Sequence, residues 1–298
     1  MRVLRTLGVG LASAVLLSAL AGPSASAEVK SYDLRGPAPV KGMSSNEESH
    51  SLIKDAVVVL RSGQAELKVG TISTETDAKS DGEIVAVDGR DATKVRRRII
   101  TSVTKTRGTL NDEKVDKSEP NPLTGEWVVS ERRGKEWANR LEDASKKPTA
   151  EQKKELDDLD PPQNDDALFP AKAVPVGHRW DSDAAAVHAG FLPGSKVSDV
   201  TGKATSEFRG LEMVGGEECA RVESDIDIKG KVEVQGKPAK FAVSGKRVLY
   251  RSLKTGENLR DEFTGKMTLV MQEEMDGVKA EIELTGPFTY RSKVTARR

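Results

Sequence analysis

The sequence predicts a mainly β protein, built as one large, curved antiparallel sheet that forms a half-barrel or a sandwich, with one or two short helices. Three observations predict this class. Apolar and polar residues alternate over long stretches, most clearly after Val197, as in strands with one buried face. Turn signals containing glycine separate these stretches. A strongly twisted sheet with so many strands curls or splits, which favours a curved sheet over a flat one.

The first 27 residues are typical of a cleavable secretory signal peptide. Arg2 and Arg5 give a positive start, residues 7–21 are uncharged and mostly apolar, and Ala25-Ser26-Ala27 are small residues of the kind that signal peptidase prefers. The apolar stretch is shorter than the roughly 20 residues that span a bilayer. We therefore expect a protein exported to the periplasm or the extracellular space, starting near Glu28 and not integral to the membrane.

The composition excludes several function classes. The chain has 47 basic and 47 acidic residues and a formal net charge of +0, which argues against a nucleic-acid-binding protein. Cys219 is the single cysteine, so an internal disulfide is excluded and stability must come from the core. Its place in a strand-like run predicts burial.

Residues 28–145 predict an N-terminal β half. A short strand at 29–34 precedes a loop at 35–50, because that stretch carries Gly, Pro and Ser with little periodicity. Three hairpins are expected to follow, at 52–60 with 64–74, at 84–87 with 95–103, and at 127–141. Their predicted turns are Ser62-Gly63, Asp88-Gly89 and Gly134.

Residues 146–170 predict a helix followed by an acidic linker. Thr149 and Gln152 form the signature of a capping box, and Pro161 with Pro162 ends the helix that starts at Ala150. Residues 171–298 then predict a C-terminal antiparallel β half. Its strands carry apolar residues at alternate positions: Val222, Ile226, Ile228, Val232, Val234, Met267, Leu269, Met271, Val278, Ala280, Ile282 and Leu284. The two halves are compatible with one domain or two.

The sequence predicts neither a metal site nor a cofactor. No two of His50, His178 and His188 have the helical spacing of a zinc hydrolase. His178 and His188 do crowd one segment with Asp181 and Asp183, a pattern that scattered surface residues match often. Residues 77–88 partly imitate a calcium loop, but Lys79 stands where a ligand belongs, so an acidic turn is the better interpretation.

Catalytic motifs are missing from the sequence as well. It contains no nucleophile elbow, phosphate loop or dinucleotide-binding glycine pattern, so we predict a protein without catalytic activity. The basic run Lys94, Arg96, Arg97 and Arg98 places its side chains on alternate sides of a strand. We interpret it as a solvated strand edge, which discourages unwanted pairing.

Three short motifs resemble a family of exported bacterial proteins of unassigned function: Phe169-Pro170 with Val174-Pro175-Val176-Gly177-His178-Arg179-Trp180, Pro122 to Trp127, and Gly216 to Val222. This family commonly has an aspartate where this chain has His178. The resemblance implies a curved sheet similar to the half-barrels of lipoprotein-carrier proteins, which hold acyl chains on the concave face. It implies no catalytic residues.

Three hypotheses about function follow, in order of preference. The first is an exported structural or interaction protein of the cell envelope, with an envelope protein as partner. The second is a periplasmic carrier or sensor that binds an apolar, lipid-like ligand in the half-barrel, and the third is a hydrolase whose site is assembled from distant strands. The residues expected to line a ligand cavity are Trp180, Phe263, Met267, Met271, Phe288 and Tyr290. These residues fit a packed core equally well.

Overall fold

The computed structural model describes residues 29–62, 65–134, 136–159, 165–188, 197–234, 237–275 and 278–297. The predicted signal peptide lies outside these residues. None of the helices in these ranges has the length and hydropathy needed to cross a membrane.

The described chain is almost entirely β-structure. The fourteen strands are β1 (Ser31–Tyr32), β2 (Ser44–Ser62), β3 (Ala65–Asp88), β4 (Asp91–Leu110), β5 (Glu113–Pro120), β6 (Trp127–Arg133), β7 (Glu136–Leu141), β8 (Val174–Pro175), β9 (Arg179–Ser182), β10 (Val197–Val214), β11 (Glu217–Val234), β12 (Lys237–Ser252), β13 (Asn258–Met275) and β14 (Val278–Arg297). Two α-helices, α1 (Ala150–Asp158) and α2 (Ala184–His188), and a 3-10 helix (Asp165–Leu168) lie between β7 and β10.

Twelve of these strands form one open antiparallel sheet, which confirms the predicted fold class. Its order is β7-β6-β4-β3-β2-β14-β13-β12-β11-β10-β9, and β5 pairs with β4 beside β6. Strands β1 and β8 form a separate two-stranded sheet. The first long strand, β2, pairs with the last strand, β14, over most of its length, and this pairing joins the N-terminal and C-terminal β halves.

The main core lies on one face of the sheet, which we call the inner face. Directly paired residues share a face in antiparallel sheets, so the register identifies the residues of the inner face on neighbouring strands. Phe288 is paired with Ile53, and Ile53 with Thr74, so all three lie on the inner face. The predicted alternation in the C-terminal half is confirmed on this face, where Val222, Ile226, Ile228, Val232, Met267 and Ala280 are buried.

The predicted helix and the third hairpin are confirmed. The hydroxyl of Thr149 accepts a hydrogen bond from the amide of Gln152, whose side chain accepts one from the Thr149 amide. Leu156 buries against Ile99, in a small second core. Gly134 lies between β6 and β7 with a φ of 66°, in the left-handed region that glycine adopts without strain.

Three predictions for the N-terminal half are wrong. Residues Ser44 to His50 belong to β2 rather than to a loop, and residues 77–82 lie inside β3 rather than in a turn. The basic run of β4 is not at an edge, because β4 pairs with β3 on one side and with β6 on the other. Strand β5 was not predicted; it follows a turn at Asn111 and Asp112, which have φ values of 50° and 65°.

Candidate functional site

All six residues predicted to line a ligand cavity belong to the core on the inner face. Phe263, Met267, Phe288 and Tyr290 are buried, and Trp180 and Met271 pack against them as partly buried residues. The rings of Phe263 and Phe288 lie 5.6 Å apart between centroids. The sheet therefore brings the predicted residues together.

Side chains from outside the large sheet fill the space above this apolar surface. Leu168, Phe169, Val174 and Val187 come from the stretch between residues 165 and 188, which we call the covering segment, and Leu34 comes from the N-terminal stretch. Trp180 is fixed in place, because its indole N–H donates a hydrogen bond of 2.9 Å to the carbonyl oxygen of Leu168. The six predicted residues thus form part of a packed core.

Charged groups form a second layer on the inner face, beside the apolar core. The guanidinium of Arg247 donates two hydrogen bonds, of 2.9 and 2.7 Å, to the carboxylate of Asp261, and both side chains are 5% exposed. The guanidinium of Arg251 contacts a carboxylate oxygen of Asp165 at 3.3 Å. Charges buried in pairs in this way avoid most of the penalty of burying a single charge.

Two carboxyl groups in this layer have perturbed acidity. Burial raises the pKa of Glu47, and the charge of Arg97 opposes that shift. Burial likewise raises the pKa of Asp165, opposed by Arg251. The hydrolase hypothesis predicted that carboxylates from distant elements would converge. They do so here, but Asp261 and Asp165 are engaged by arginines, and the hypothesis stays a prediction.

A small cavity of about 190 Å³ lies next to this layer, where both β halves meet the covering segment. Its wall includes Trp137, Arg132, Arg251 and Asp165. Arg90, also in the wall, forms an ion pair with Asp166 and donates hydrogen bonds to the carbonyl oxygens of residues 35 and 36. The cavity is therefore surrounded by ion pairs that tie the covering segment to the sheet.

Most of strand β3 has no cover of this kind. Strand β3 spans 24 residues and contains no buried residue, although β2 and β4 flank it. Its inner face carries hydroxyl groups, and those of Thr76 and Thr104 lie 3.0 Å apart. A strand inside a sheet normally buries at least one face, so β3 is an exception.

On the opposite face, which we call the outer face, His50, Glu75 and Asp77 form a cluster. The Nδ1 atom of His50 lies 2.8 Å from Oδ1 of Asp77 and 3.8 Å from Oε1 of Glu75. Sequence analysis missed this cluster because it interpreted 35–50 as a loop and 77–88 as a turn. A signal existed: continuing the predicted hairpin from its turn, where Ser62 pairs with Ala65, pairs His50 with Asp77.

Three other residues considered in the sequence, Cys219, His178 and Asp181, have ordinary environments. Cys219 is fully buried, as predicted, and burial raises the pKa of its thiol to about 11. His178 stacks on Trp180 with ring centroids 6.0 Å apart. Asp181 accepts a hydrogen bond of 2.9 Å from the hydroxyl of Thr205. The side chain of His188 lies outside the described residues.

Comparison with known proteins adds no further assignment. No model of a known protein family matches this chain, and no curated protein matches it either. The likeness to exported proteins with half-barrel folds therefore stays a prediction from short motifs.

Proposed function

We propose that this chain is an exported, non-catalytic interaction protein of the cell envelope, and that β3, with the hydroxyl groups beside it on β4, binds a polar partner. One observation carries the proposal: β3 lies within the sheet, yet none of its 24 residues is buried. A sheet region that is accessible on both faces is a surface available for binding.

The partner is expected to be polar because of the side chains that this region presents. On the inner face, Thr74 pairs with Thr106, and Thr76 with Thr104. All four are half-buried, so their hydroxyls can donate and accept hydrogen bonds. An apolar ligand offers these hydroxyls no hydrogen bond, so burying them beneath it costs free energy.

Site-specific photocrosslinking in the producing cells tests this proposal. A photoreactive phenylalanine analogue is placed at Thr76 or Thr106, on the inner face of the central strands, or at Thr264, an exposed position in the C-terminal half. We expect one adduct of defined mass at the two central positions and none at Thr264. The proposal is wrong if the central positions give no adduct, or if all three positions give the same one.

The carrier remains a second candidate, because the apolar inner face is filled by a separate segment rather than by the sheet. Leu168, Phe169 and Val187 occupy the place that an acyl chain would take, and an opening of the covering segment would expose the five predicted residues that lie on β13 and β14. Mass spectrometry of the purified protein, under native conditions and after organic extraction, tests this. A stoichiometric lipid favours the carrier, and an empty protein favours the interaction protein.

A further inference from the structure

We propose that His50, Glu75 and Asp77 on the outer face form a binding site for a divalent transition metal of the Zn²⁺ type. The site goes beyond the proposed interaction with a polar partner, which uses the inner face. It is built from one residue on β2 and two on β3, and His50 and Asp77 are direct partners in the sheet register.

The spacing of the ligand atoms fits such an ion. Ligands bound at about 2.0–2.2 Å in a tetrahedral arrangement lie about 3.3–3.6 Å from one another. The distances from Nδ1 of His50 to Asp77 and Glu75, 2.8 and 3.8 Å, bracket that range. All three ligand atoms lie within 4.8 Å of one another, so small side-chain rotations are enough to place them around one ion.

The strands support this arrangement. Glu75 and Asp77 are two residues apart on β3, so the pleat directs both side chains to one face. Lys105 on β4 lies 4.0 Å from Oδ2 of Asp77, which is too far for a hydrogen bond and leaves both carboxylate oxygens available to an ion.

The donor set selects among metals. One imidazole nitrogen and two carboxylates suit Zn²⁺ and its neighbours in the transition series, whereas Ca²⁺ and Mg²⁺ prefer oxygen ligands throughout. Two carboxylates also balance the charge of a divalent ion. Three protein ligands leave a fourth position of a tetrahedral ion open for water or another ligand.

His50 and Asp77 also lie in the wall of a groove of about 650 Å³. The groove is rich in cationic side chains: Lys79, Arg260, Arg291 and Lys293. Two of them have acidic partners, since Lys79 pairs with Glu48 at 2.8 Å and Arg260 with Glu262 at 2.6 Å. The groove therefore suits a small anion that completes the coordination of the metal.

Calorimetric titration of the purified exported protein with ZnCl₂, without a histidine tag and in a buffer that does not chelate metals, tests the site. We expect one Zn²⁺ per chain for the wild type and loss of that binding in His50→Gln. The matched control, His178→Gln, removes a histidine outside the cluster and should bind as the wild type does.

Circular dichroism shows whether each variant is folded, and a folded His50→Gln that still binds one Zn²⁺ overturns the proposal. So does a wild type that takes up no Zn²⁺, or several ions without saturation, which is the behaviour of an adventitious ion only. Absorption of Co²⁺ in the visible range gives an independent result: the intensity typical of a four-coordinate site should appear in the wild type and disappear in Asp77→Asn.

Discussion

The pair of Arg247 and Asp261 should contribute far more to stability than the neighbouring pair of Lys246 and Asp225. Both pairs have an N–O distance of 2.7 Å, and the two cations are adjacent on β12. Their environments differ, however. The side chains of the first pair are each 5% exposed, whereas those of the second are 79% and 74% exposed.

Asp261→Asn removes the negative charge to which the buried guanidinium of Arg247 donates two hydrogen bonds, and breaking a buried ion pair in this way lowers stability by about 3–5 kcal/mol. Asp225→Asn disrupts an exposed pair, whose contribution is below about 1 kcal/mol. Because domains of this size change in Tm by about 2–4 °C per kcal/mol, the first variant should melt about 10 °C below the wild type. The second should melt within a few degrees of it.

Urea unfolding followed by circular dichroism measures the difference, at low and at high salt. Salt screens exposed charges much more than buried ones. The small effect of Asp225→Asn should therefore vanish at high salt, whereas that of Asp261→Asn persists. Equal losses of stability in the two variants, or the disappearance of both effects at high salt, would show that burial does not strengthen the pair of Arg247 and Asp261.

Three further predictions concern single positions. Burial raises the pKa of Glu47 from 4.5, so the folded protein loses stability as the pH rises from 4.5 through the higher folded-state pKa. Glu47→Gln should therefore stabilise the protein at pH 7 but not at pH 4 in urea titrations. An equal gain at both pH values would contradict this. Gly265→Ala should lower the free energy of unfolding by about 1–3 kcal/mol or more. The new methyl carbon would lie 2.1 Å from the carbonyl oxygen of Ser244. Gly82→Ala is its control, since there the nearest atom is a side-chain oxygen at 3.2 Å; equal melting temperatures would refute the packing argument. Cys219, buried and with a raised thiol pKa, should react with a thiol reagent at pH 8 only after denaturation, and rapid labelling of the folded protein would count against its burial.

The C-terminal half was predictable because its strands have one buried and one exposed face. Ile226 and Ile228 alternate with Asp225 and Asp227, and this period of two identifies a strand directly. Residues 44–50 gave no such signal, because the inner face there is polar: Glu47 and Ser49 occupy the positions at which a core strand would carry apolar residues. The loop predicted for that segment followed from the missing alternation.

The clusters of charged side chains were beyond what the sequence can reveal. Arg251, Asp165 and Arg90 come from three distant parts of the chain, and nothing in their local sequence indicates that they meet. The cluster of His50 and Asp77 was closer to being predictable, because register follows from a hairpin turn. Both strands must extend further from the turn than their apolar pattern does, and the two register shifts between the turn and the cluster must cancel, as they do here.

The pairing of β2 with β14 has a consequence for how the chain folds. Ser44 is paired with Arg297, so strands from opposite ends of the chain lie side by side in the middle of the sheet. Contacts between residues so distant in sequence form slowly. The middle of the sheet can therefore close only after β14 has been synthesised, and until then β2 lacks its neighbour on that side.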